Sequence, residues 1–156
     1  MMKDLYIGIM TGTSMDAIDV VIGRFEGFPE VIFEYSAPLD PVLKKISMDL
    51  ATKSVMNIDL FVRAHFILAQ EYAKAVDAAL QKAGLGPKDI RAIGLHGQTI
   101  RHLPKPEKIA ASLPASGATF QLGSGSALAA LSGIDVISDF RSADIALGGQ
   151  GAPLVP

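Results

Sequence analysis

Cysteine is absent from these 156 residues. Disulfides, thiolate metal sites and a cysteine nucleophile are thereby excluded, although that alone does not fix the compartment. A basic excess is lacking too. Lys and Arg number 14 against 16 Asp and Glu, giving a net charge of −2 and a pI near 5.9. Bulk attraction to nucleic acid or anionic lipid is not expected, and no run of Lys and Arg supplies a local substitute. No apolar stretch reaches the roughly 18 residues of a membrane span. The apolar run at 5–10 is too short for the core of a signal peptide. Internal repeats and low-complexity tracts are also missing. The expectation is a soluble intracellular protein with neither nucleic acid nor membrane as partner.

What remains is apolar and patterned. Hydrophobic residues make up 49% of the chain and charged residues 19%, which excludes a disordered chain. The length predicts about one domain, large enough for a core of its own. A mean hydropathy of +0.35 is high for a soluble protein. It predicts a deeply buried sheet, or a surface that needs a partner. The last residues, Gly148-Gly149-Gln150-Gly151-Ala152-Pro153-Leu154-Val155-Pro156, read as a glycine turn running into a further apolar element. They suggest a chain cut short, with a partner half missing.

Residues 5–10, 18–25 and 31–35 read as three strands of an antiparallel meander. Pro38 and Pro41 then interrupt extended pairing, and a short helix is expected near 41–51. The clearest helix is 58–83. Phe61, Leu68, Tyr72, Val76 and Leu80 share one face, while Arg63, Gln70, Lys74, Asp77 and Gln81 share another. Asn57 is a candidate N-cap, and Gly84, Gly86 and Pro87 supply the stop. A short strand at 91–95 follows, then an exposed loop at 103–117, a strand at 118–122, a helix at 126–131 and a strand at 134–138. Strands first and strand–helix alternation afterwards argue for an α/β protein: a mixed sheet with helices on its faces. Ligands of such sheets gather at strand ends.

Four polar clusters can carry chemistry. Gly12-Thr13-Ser14-Met15-Asp16 joins the first two strands. Small residues there let backbone N–H groups approach a phosphate, and Asp16 can hold Mg²⁺, but a plain hairpin turn uses the same residue types. It is not a Walker loop, because no Gly-Lys-Ser/Thr follows. His96-Gly97-Gln98-Thr99, with Arg101 and His102, offers donors and acceptors suited to a polyhydroxylated or carboxylated ligand. A polar loop with a structural histidine fits equally. Asp139-Phe140-Arg141, with Asp144, delivers a carboxylate at the end of an apolar strand, as a general base requires. The plain alternative is an Asp that caps the next turn while Arg141 pairs with Asp144. The glycines at 148–151 can fold around an anion or a sugar, or form a hinge.

Together and in this order the clusters resemble the anhydro-N-acetylmuramic acid kinase family. The matching runs are Gly12-Thr13-Ser14-Met15-Asp16-Ala17-Ile18-Asp19, His96-Gly97-Gln98-Thr99-Ile100-Arg101-His102, and the long stretch from Asp139 to Pro156. The resemblance spans nearly the whole chain but only the N-terminal part of the family's length. It implies one lobe of an actin, hsp70 and sugar-kinase type of fold, with a ribonuclease-H-like mixed sheet. Residues 1–156 would be the N-terminal lobe, and the second nucleotide-binding lobe would be absent.

The implied reaction belongs to bacterial cell-wall recycling in the cytoplasm. ATP phosphorylates O6 of 1,6-anhydro-N-acetylmuramic acid while water opens the anhydro ring, giving N-acetylmuramate 6-phosphate. By position, Gly12, Thr13, Ser14, Met15, Asp16, Ala17, Ile18 and Asp19 would bind the ATP phosphates. Asp139 would activate the water, Gln98, Thr99 and Arg101 would bind the sugar, and Asp16 would take Mg²⁺. A homodimer is implied for the full-length protein. Two departures stand out: Ala17 where the family has Gly, and Met10 where related sugar kinases carry Asp. The competing reading is a sugar- or muropeptide-binding lobe without catalysis.

Overall fold

A computed structural model describes residues 5–152. Three strands open it: β1 (Leu5–Thr11), β2 (Ala17–Arg24) and β3 (Glu30–Pro38). Helices α1 (Pro41–Thr52) and α2 (Ile58–Ala83) follow. A short 3₁₀ turn at Pro87–Asp89 leads into β4 (Ile90–Glu107), then β5 (Ser116–Leu122), α3 (Gly125–Ser132), β6 (Val136–Ser138) and α4 (Ser142–Ala146).

The meander is antiparallel, as the alternation predicts, with Ile7 opposite Ile22 and Val20 opposite Tyr35. Its partner β4 runs parallel to β1, and β6 runs parallel to β4 through Ile93–Leu95. The second half of β4 turns away to pair antiparallel with β5. The order is β3-β2-β1-β4-β5, with β6 beside β4. This is the expected mixed α/β lobe.

The period of two along β1 puts Ile7, Ile9 and Thr11 inside. They meet Leu43 and Leu50 of α1, and Leu68, Tyr72 and Val76 of α2, in a single core. Asn57 caps α2 as expected, its side chain accepting from Asp59 N at 2.8 Å and Leu60 N at 3.2 Å. Gly84 ends α2 in the left-handed region. The opposite sheet face is apolar but shallowly covered. Tyr6, Gly8, Val21, Ala92, Gly94 and Ile137 border a cavity of about 450 Å³ there. Phe140 folds back over Gly94. No helix among the described residues is long and apolar enough to cross a membrane.

Two expectations need correction. The short strand at 91–95 is an 18-residue strand, and the loop expected at 103–117 is extended at both ends. Leu103 pairs with Ala118 and Glu107 with Ser116, with the ladder irregular between them. Pro104 and Pro106 fall in that irregular span, where a missing N–H costs no ladder bond. Extended pairing does stop at Pro38 and α1 opens at Pro41, as expected, and the last residue of an edge strand tolerates a proline.

Candidate functional site

Three parallel segments, β1, the first half of β4, and β6, end at the same edge of the sheet. Thr11 gives way to Gly12 there, Leu95 to His96, and Ser138 to Asp139. Three of the four polar clusters are therefore gathered at the carboxyl ends of parallel strands, where α/β sheets bind ligands.

The loop after β1 is a tight turn, closed by Met15 N donating to Gly12 O at 3.0 Å. Met15 takes a positive φ of 53° and its side chain is buried. Ile18 is likewise a core residue of β2. Among the eight residues of the expected phosphate segment, Thr13, Ser14, Asp16 and Asp19 present exposed side chains. Asp19 accepts from Ser36 Oγ at 2.8 Å. Asp16 pairs with Lys44 of α1. The Lys44 ammonium, with help from the Ser14 hydroxyl, holds the Asp16 carboxyl below the usual 3.8.

His96 and Gly97 lie in mid-strand, at the point where β4 changes partner. Gly97 has a φ of +75°, and a Cβ there would sit 2.5 Å from Leu122 O. Only glycine passes that corner. His96 Nδ1 lies 2.8 Å from Gly97 O, and its Nε2 accepts from Arg141 Nε at 3.2 Å and a second guanidinium nitrogen at 2.8 Å. The network assigns the proton to Nδ1, leaving Nε2 as acceptor. Arg141 thus ties the corner after β6 to β4, and does not pair with Asp144. Asp144 instead accepts from Gly151 N at 2.7 Å, drawing the glycine run back. The further apolar element expected beyond that run lies outside the described residues.

Asp139 is exposed and takes a positive φ of 59°, rare for a residue with a Cβ. Its Oδ1 accepts from Ser142 Oγ at 2.6 Å and from Ser142 N at 3.3 Å. Oδ2 takes no bond from the described residues. The carboxylate lines a cavity of about 270 Å³ together with His65, His96, Gln121, Ser124 and Ser138.

The three residues expected to bind sugar are not on that wall. Gln98 is 3% exposed, with Nε2 donating to Thr99 O at 3.2 Å and Oε1 without a partner. Thr99 Oγ1 accepts weakly from Gln121 Nε2 at 3.4 Å, and so touches the cavity through a neighbour. Arg101 serves the end of α1. Its guanidinium donates to the carbonyls of Leu50 and Ala51, both at 2.6 Å, and of Lys53. Those are carbonyls a helix terminus leaves open. Among the described residues no three His, Asp or Glu side chains cluster as a metal site.

Residues 4–156 match the family model for anhydro-N-acetylmuramic acid kinase. The chain belongs to this family. Curated anhydro-N-acetylmuramic acid kinases resemble it throughout. That of Chromobacterium violaceum is 43% identical over 157 residues, covering 99% of this chain and 40% of its own length. That of Bordetella pertussis is 45% identical over 153 residues, covering 97% and 38%. That of Shewanella halifaxensis is 41% identical over 157 residues, covering 100% and 40%. The chain thus spans about two fifths of the length of these relatives. The mixed sheet agrees with one lobe of the actin and sugar-kinase fold that membership in this kinase family implies.

Residue reading missed one wall of the cavity. His65 of α2 accepts from Gly123 N at 3.1 Å through Nδ1, and its carbonyl accepts from Ser124 N at 3.2 Å. Burial lowers its pKa from 6.5, which keeps the acceptor free of a proton. The Gly123-Ser124-Gly125 turn was the available signal. It opens α3, with Ser124 Oγ accepting from Ala127 N at 3.2 Å.

Proposed function

We propose that this chain is the N-terminal lobe of a cytoplasmic, ATP-dependent kinase of peptidoglycan recycling. Its substrate is 1,6-anhydro-N-acetylmuramic acid, and its product is N-acetylmuramate 6-phosphate. Adenine recognition and the far wall of the cleft then belong to a second lobe, and the full-length protein acts as a homodimer. The observation that carries the reading is the family match over residues 4–156, the region that holds all four clusters.

In this reading Asp139 takes a proton from water as the water oxygen bonds to the anomeric carbon. The bond from that carbon to O6 breaks, and O6 attacks the γ-phosphorus of ATP, releasing ADP. Asp139 suits the base because Ser142 fixes one oxygen while Oδ2 remains available. The demand resembles that of an inverting glycosidase, joined to an in-line phosphoryl transfer. The 12–19 segment cradles the phosphates through its backbone and through the Thr13 and Ser14 hydroxyls. Asp16 would hold Mg²⁺, in exchange for Lys44, and the ion would neutralise phosphate charge. A single carboxylate suffices, since Mg²⁺ usually shares its shell with water and phosphate.

Thr99 supports the sugar through Gln121, Gln98 donates to the Thr99 carbonyl, and the orphaned Gln98 Oε1 is an acceptor that a hydroxyl or water would satisfy. Arg101 contributes through α1. The test is Asp139→Asn in the full-length protein. Turnover should fall about 10²–10⁴-fold while sugar binding persists. Near-normal turnover removes Asp139 as the base.

The share of the relatives' length that is spanned favours a second reading for the 156 residues by themselves, as a sugar-binding lobe without turnover. A kinase assay of the full-length protein separates the two: turnover of ATP and the anhydro-sugar supports the first, and sugar binding without turnover supports the second.

A further inference from the structure

We propose that Tyr72 is a positioning residue, holding the loop after β1 and the turn before α3 as one unit and thereby setting affinity for the nucleotide phosphates. The proposal rests on the reading of residues 12–19 as the phosphate segment. His65 and Tyr72 lie seven residues apart on α2, two turns along one side of the helix. His65 grips the backbone of Gly123 and Ser124. Tyr72 reaches in two directions. Its hydroxyl lies 2.5 Å from Thr11 Oγ1, on the residue directly before Gly12. Its ring fills the place of a side chain at Gly123, where a Cβ would come within 2.5 Å of Cε2.

Tyr72 is fully buried and Thr11 is 3% exposed, so no solvent competes for their bond. Burial pushes the phenol well above its usual pKa and keeps its proton in place. A β-strand end held in this way cannot shift without breaking a buried hydrogen bond. The loop that follows inherits its position from the strand end, and the phosphate-binding groups of that loop are backbone amides that depend on position. Nothing in Tyr72 touches a ligand. Its action passes through Thr11 on one side and Gly123 on the other.

The test uses the full-length protein with ATP and the anhydro-sugar. Tyr72→Phe keeps the ring and removes one oxygen. The KM for ATP should rise about three- to ten-fold, the worth of one lost hydrogen bond, with kcat and the sugar KM close to wild type. Thr11→Val should give the same rise, the double variant no further rise, and Thr11→Ser should restore the wild-type value. Should Tyr72→Phe fail to fold, the Thr11→Val and Thr11→Ser pair carries the same comparison. A loss of melting temperature with an unchanged KM for ATP overturns the proposal and leaves Tyr72 a core residue only. Ser14→Ala serves as the reference. If it leaves the ATP constants unchanged, the phosphate segment is misassigned and both readings fall. If it weakens ATP while the Tyr72 and Thr11 variants do not, only the positioning proposal falls.

Discussion

A methyl group at Gly123 should be among the most damaging single changes in this chain. Two penalties meet there. The φ of +107° is a conformation that residues with a Cβ rarely adopt, and the left-handed side costs an L-residue about 1–2 kcal/mol. The new Cβ would also stand 2.5 Å from Cε2 and 3.3 Å from Cδ2 of Tyr72. That ring is 0% exposed and lies in the same buried core as Leu68, Val76 and Leu122, so it has little room to swing aside. Forcing atoms into a filled core costs about 1–3 kcal/mol. Gly123→Ala should therefore destabilise by about 2–5 kcal/mol, a large part of the 5–15 typical of a domain.

Gly84→Ala provides the comparison. Its φ of +69° carries the backbone penalty, but nothing lies within 4 Å of its Cβ position. About 1 kcal/mol is expected there. Urea unfolding of the three proteins, followed by circular dichroism, gives both differences from the midpoints at constant slope. Equal losses at the two glycines would show that the tyrosine ring yields, and the idea of a rigid wedge beneath the turn would have to be abandoned.

Other expectations concern charge. Arg101→Ala should cost about 2 kcal/mol by releasing charge-assisted bonds to the end of α1, and urea unfolding of Arg101→Ala and Arg101→Lys tests it: Lys lacks the fork and should restore little. The Asp16 carboxyl is held low in the fold, so its pairing with Lys44 stabilises above the unfolded value of 3.8 and is lost as pH falls through the lower folded value. A carboxyl titration followed by NMR should move back toward 3.8 in Lys44→Met; an unmoved midpoint would refute the pairing. His65 behaves oppositely in charge but alike in direction. Its folded pKa lies below 6.5, so the unfolded chain binds the proton first and stability declines as pH drops below 6.5. His65→Gln, which keeps an acceptor, should flatten that decline in urea unfolding measured between pH 7 and pH 5.

Local signals explain which parts of the fold were legible. The meander alternates and α2 has a stripe, a cap and a stop, so each announces itself within its own residues. β4 does not. Its long second half carries Pro104, Lys105 and Pro106, a composition that reads as loop, and it is extended only because β5 arrives beside it. No window around 103–107 contains that information.

The site divides in the same way. The glycine and aspartate clusters stand out because small and charged residues interrupt apolar runs. Their convergence depends on β1, β4 and β6 being parallel, which is a property of pairing and not of any one segment. His65 is the sharper case. On α2 it is one half-buried histidine beside an apolar stripe, and residue reading passes over it. Its work is done on Gly123, 58 residues away. Arg101 errs in the other direction: it stands in a motif that suggests a ligand, yet its partners are carbonyls of α1 about 50 residues earlier. A side chain's type says what it can bond, whereas the fold decides which bond is already made. A polar residue in a motif is therefore a free binding group only where the fold leaves one of its atoms unclaimed, as it does for Asp139 Oδ2 and Gln98 Oε1 among the described residues, whereas both terminal guanidinium nitrogens of Arg101 are already taken by carbonyls.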